Sequence, residues 1–185
     1  LDYTLARGIP TVWAHPLYIY SRKAYPPIEF FEKMSVVFQR FEVISGHRDA
    51  WQNLLWASWL EQLTPERIHT YARRSGVPEG RFTTRPYEKD MTGGSDCHMG
   101  MFLGSAGTGL YVPNLKERIN GESKASLAKE ALWMGRTAPF GRFPNLQKMT
   151  AAFLEYFFQL QINLRDPGLL RLLLHKGSTT EKIIA

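Results

Sequence analysis

Between Met91 and Val112 the chain reads MTGGSDCHMGMFLGSAGTGLYV, with six of its 15 glycines and one formal charge in 22 residues. Glycine gives up more conformational freedom on folding than any other residue, so such a run builds neither a helix nor a strand by local preference. It parts two stretches of clear helical periodicity. The surrounding 76–121 therefore reads as one long irregular segment, of the kind that serves a function or takes its shape from a neighbour.

The run also comes near to known chemistry. Gly104-Ser-Ala-Gly107-Thr-Gly109 has the glycine gap of a phosphate-binding loop, but Leu110 and Tyr111 stand where its lysine and hydroxyl belong. Val112-Pro113-Asn114 reads as a turn, so no helix follows to meet a phosphate. A dinucleotide fingerprint fails too, because Val112 occupies the position of its last glycine. Asp96-Cys97-His98 offers a cysteine beside a histidine, yet neighbouring side chains diverge and nucleophile and base normally come from separate segments. No second cysteine exists for a zinc site. Catalytic, cofactor-binding and metal-ligating residues are all expected to be absent, and the glycines to let another backbone come close.

On either side helices are expected. Pro27 opens a first, whose stripe runs Phe30, Met34, Val37, Phe38, Phe41 and Ile44. A second spans 48–63, and Leu54, Trp56 and Leu60 widen its apolar stripe beyond one face. Thr64-Pro65 starts a third at once, which closes at Gly76 and makes a helix–turn–helix corner. Later helices are expected over 123–134, 144–164 and 169–175. The fold class predicted is mainly α: five to six helices, that corner, an extended N-terminal arm and the irregular glycine-rich segment. The organisation is an aromatic, proline-punctuated arm (1–27), a helical hairpin region (28–75), the central segment (76–121) and C-terminal helices (122–185), in a single domain.

The function classes follow from charge and aromatic content. Aromatics make up 13% of the chain, and Trp, Tyr and Arg are the usual interface anchors. Trp13, Tyr18 and Tyr20 in the arm, with Trp56 on the second helix, are the expected protein interface. The net charge of +6 permits an anionic partner. Arg67, Arg73, Arg74, Arg81 and Arg85 are the expected contacts to RNA or an acidic partner, though nearby acids dilute them. No stretch is long and apolar enough to span a membrane, which leaves contact with a membrane surface open.

The reading is a non-catalytic accessory subunit of a large multisubunit assembly, acting through other protein subunits. A start on Leu1-Asp2-Tyr3, read as processed, and the basic balance place it in the mitochondrion, in a respiratory-chain complex or ATP synthase. The alternatives are a mitochondrial ribosomal protein contacting rRNA and an enzyme with an unrecognised site in the central loop.

Overall fold

A computed structural model describes residues 1–18, 25–97 and 102–143, together with positions 150, 153, 154, 157, 158 and 161. The chain divides into two compact units, one of Leu1–Cys97 with Phe102–Pro144, the other of His98–Met101 with Asn145–Ala185. The described positions of the second unit are helical, and Phe153 and Phe158 among them are exposed. The rest of the helices expected over 144–164 and 169–175 lies outside the described residues.

The first unit mixes helix and strand, which overturns the mainly α expectation. Its elements are α1 (Asp2–Ala6), β1 (Val12–Trp13), α2 (Ile28–Val37), β2 (Arg40–Ser45), α3 (Ala50–Glu61) and α4 (Pro65–Ser75). They continue with β3 (Asp90–Gly94), β4 (Ala106–Leu110), α5 (Leu115–Arg118), α6 (Lys124–Trp133) and β5 (Thr137–Gly141). β1, β2 and β3 form a parallel sheet in that order, with Val12 opposite Arg40 and Arg40 opposite Asp90. Parallel neighbours need crossovers. α2 supplies the first, and α3 with α4 the second. β4 and β5 pair antiparallel, Ala106 opposite Gly141.

The helical reading failed first at Phe38. There the backbone turns extended and ends α2. Phe41 and Ile44 fit a helical stripe by their spacing of three, but Phe41, Val43 and Ser45 also alternate at period two, and all three are buried. Tertiary burial decides in favour of the strand.

The glycine-rich segment is not irregular; it holds β3 and β4. A Cβ on Gly93 would sit 2.6 Å from the Gly107 carbonyl oxygen. The two backbones can approach this closely because Gly93 has no Cβ. Thr108 Oγ1 ties them, accepting from the Gly93 N–H at 2.9 Å and donating to its carbonyl at 2.7 Å.

The helix–turn–helix corner is present, with the Thr64 side chain accepting the Arg67 N–H at 3.3 Å and Gly76 left-handed at φ 68°. The arm folds back on its own domain. The Trp13 ring lies 5.4 Å from Trp56, 5.8 Å from Phe38 and 6.1 Å from Phe41. Each such aromatic pair contributes about 0.5–1.5 kcal/mol beyond burial. Trp56, 2% exposed, belongs to this core and not to the surface of α3. The exposed large apolar residues of α3 are Trp51, Leu54 and Leu55.

Candidate functional site

In open α/β sheets, ligands bind outside the carboxyl ends of the strands, where the connecting loops converge. Here the three parallel strands all run into titratable residues. β1 is followed by His15, β2 carries Glu42 and ends at Ser45-Gly46-His47-Arg48, and β3 leads to Asp96-Cys97. The three described non-glycine residues with positive φ are His15 (30°), Asp96 (47°) and Asn114 (53°). Two of the three stand at this edge. Such backbone costs about 1–3 kcal/mol per residue and persists only where surrounding contacts enforce it.

Those contacts are polar and largely buried. The His15 N–H donates to Glu42 Oε2 at 2.7 Å. Arg48 pairs with Asp96 at 2.9 Å and lies over the Tyr18 ring, 3.6 Å from its centroid. Ser45 Oγ donates to Asp96 Oδ2 at 3.4 Å. Asn53, on the first turn of α3, closes the cluster: its Oδ1 accepts the Ser45 N–H and its Nδ2 donates to the Ser45 carbonyl, both at 3.1 Å. Gly94 leaves room for the Glu42 carboxylate, which a Cβ there would meet at 2.7 Å.

Burial pushes the Glu42 carboxyl above the usual range. The His15 N–H works against this, Asp96 adds to it, and Arg48 opposes it. A carboxyl with a raised pKa is the kind of group that moves protons in catalytic sites. Beside it lies a pocket of about 10 Å³, room for roughly one water molecule, lined by the His15–Tyr18 turn, Glu42, Arg48, Gln52, Asn53 and Trp56. Two buried N–H groups of lining residues, Arg48 Nε and Trp56 Nε1, have no acceptor among the described residues.

Comparison of the chain with protein-family models, with curated proteins and with solved structures finds no match.

The residues singled out from sequence are scattered by the fold. Arg74 is chelated by Glu32 at 2.8 and 2.6 Å, and Arg81 pairs with Asp2 at 2.8 Å. Arg85 turns inward to Asp90 at 2.8 Å, below the amino ends of β2 and β3. Arg67 donates to the Gln62 carbonyl, and Arg73 is exposed in the last turn of α4. Trp13 and Trp56 meet in the core, Tyr18 joins the carboxyl edge, and Tyr20 lies outside the described residues, as does His98. Asp96, weighed in the sequence only beside Cys97, becomes the partner of Arg48. Cys97 Sγ accepts the Phe102 N–H at 3.2 Å. Glu42 and Arg48 carried no sequence signal, because their partners stand up to 54 positions away (42 to 96) and each is flanked by ordinary strand or turn residues.

Among the described residues no three of His, Cys, Asp and Glu gather into a metal-holding group. No described helix is long and apolar enough to cross a membrane.

Proposed function

We propose that this chain binds a small polar molecule at the carboxyl edge of its parallel sheet and acts on it by proton transfer. Glu42 is the proton-carrying group, and the Arg48–Asp96 pair holds the ligand and the loops around it. The observation that supports this best is the convergence of all three strand ends on buried charge, with strained backbone at His15 and Asp96. This develops the enzyme alternative of the sequence reading. The ¹³Cδ resonance of Glu42 should titrate above the ordinary carboxylate range. A library of small molecules grouped by chemical class, screened by thermal shift on the full chain, should yield one class that raises Tm by about 5–10 °C near 100 Kd. Glu42→Gln should bind that class and fail to turn it over. An ordinary Glu42 titration, with no class shifting Tm, would end this reading.

The assembly-subunit reading has its own support. On α3, Trp51, Leu54 and Leu55 are 61%, 58% and 55% exposed, an apolar face beside the buried one. Replacing Trp51 and Leu55 by Ser should release a co-purifying partner without lowering Tm. A chain that is monodisperse alone and retains no protein through that face contradicts it.

A further inference from the structure

The pocket at the carboxyl edge is too small for the guest proposed for it. Sites for small molecules enclose about 300–1,000 Å³. Here the free volume is about 10 Å³. The space is filled by the chain's own arm: His15, Pro16, Leu17 and Tyr18 are four of the nine described residues on the lining.

The arm also engages the groups a guest would use. The His15 N–H donates to Glu42 Oε2 at 2.7 Å. The Arg48 guanidinium lies 3.6 Å from the centroid of the Tyr18 ring. A guest that takes this carboxyl oxygen and this guanidinium face must displace both contacts.

The two ends of the arm are fastened differently. Trp13 meets the rings of Phe31, Phe38, Phe41 and Trp56 at 5.4–6.2 Å, which fixes β1. Two residues on, His15 has φ 30°, and strained backbone of this kind gathers in segments that switch. From there the turn closes through the Tyr18 N–H, which donates to the His15 carbonyl at 2.9 Å. Pro16 is buried and Leu17 packs on the core cluster, so the closed turn is the resting state.

We propose that the His15–Tyr18 turn is an autoinhibitory cover on the carboxyl-edge site. A ligand of Glu42 and Arg48 enters when the turn lifts about Ala14-His15, and its affinity is lowered by the fraction of chains that are closed. The proposal rests on the carboxyl edge being a ligand site, but it does not require Glu42 to transfer a proton.

The test combines amide hydrogen exchange of the full chain with labelling by phenylglyoxal, which reacts with accessible guanidinium groups. The control is the Gly46 N–H, bonded to the Gly94 carbonyl at 2.8 Å at the same edge but outside the turn. Corrected for intrinsic rates, the His15 and Tyr18 amides should exchange at least 10-fold faster than Gly46, at rates that urea below the unfolding transition does not change. Tyr18→Ala removes the ring from Arg48. It should speed His15 exchange and Arg48 labelling by the same factor, at least 5-fold, and leave Gly46 unchanged. If that variant does not fold, the contrast between His15 and Gly46 in the unaltered chain decides. Exchange of His15 and Tyr18 together with Gly46, or Arg48 labelling unchanged in Tyr18→Ala, would overturn the proposal. Local opening alongside an ordinary Glu42 titration would leave the cover standing and remove the proton-transfer reading. A perturbed Glu42 beneath a turn that opens only with the sheet would do the reverse.

Discussion

The two ends of the parallel sheet use the same kinds of residue to opposite effect. At the amino end, Asp90 accepts from Gln39 at 3.0 Å and pairs with Arg85 at 2.8 Å and Arg40 at 3.7 Å. Gln39 in turn accepts from Thr83 at 2.6 Å. Arg40 also donates to the Leu132 and Trp133 carbonyls, tying the last turn of α6 to the sheet. Burial outweighs the two guanidiniums and raises the Asp90 pKa all the same. One orphan exists here too, Arg85 Nε, but it does not line the small pocket of that end, and no described non-glycine residue there has positive φ. At the carboxyl end the Arg48–Asp96 pair and Glu42 meet backbone with positive φ at His15 and Asp96.

Mutations can break or sharpen that contrast. The largest effect belongs to the amino end. Asp90→Ala leaves the buried Arg40 guanidinium and the half-buried Arg85 without this carboxylate and should cost about 3–5 kcal/mol in urea unfolding. A cost below about 1 kcal/mol would show that the amino end is not the structural one. Gly93→Ala, between the two ends, drives a methyl into the Gly107 carbonyl and should cost about 1–3 kcal/mol.

Lys89, at the amino end, should act with the opposite sign. Burial pushes its pKa down to about 8, and its amine donates to the Phe38 carbonyl at 3.1 Å. A lowered amine pKa means the stability it permits is present above the unfolded value near 10.5 and is lost as pH falls through 8. Lys89→Met should therefore stabilise the chain at pH 7 by about 1–2 kcal/mol, the gain fading between pH 8 and 10.5. A pH-independent gain would mean that burial of the charge is not its source.

The smallest effect is the most telling for the carboxyl end. Because the folded Glu42 pKa is raised, its favourable contribution is complete below the unfolded value of 4.5 and is lost as pH rises through the folded one. Glu42→Gln removes the ionising group and should stabilise the chain above that window by less than about 1 kcal/mol, with no gain below it. A loss of several kcal/mol at pH 8 would place Glu42 with Asp90 among the structural charges.

Local chemistry written in the chain carried α4 and α6 well. Thr64-Pro65 and Gly76 bound α4, and Ser123 caps α6 by accepting the Ser126 N–H at 3.1 Å. These signals lie within a few residues of what they control. β2 was misread because Phe41 fits both a helical spacing with Ile44 and a period-two run with Val43 and Ser45. β3 and β4 were hidden because glycine has no strand preference, and their partners, β2 and β5, lie some 30 to 50 positions away along the chain. The candidate site was less legible still, since His15, Glu42, Arg48 and Asp96 are single residues that no spacing rule connects.

The sequence by itself determined the ends of α4 and α6, the aromatic content of the core and the absence of an intact phosphate loop. All of these depend on neighbours along the chain. Only the tertiary structure decided that the glycine-rich run is sheet and that Trp13 and Trp56 form core. It alone brought Glu42, Arg48 and Asp96 together. Strand pairing and buried charge pay their entropic and desolvation costs through contacts between distant residues, and those contacts exist only once the chain has folded.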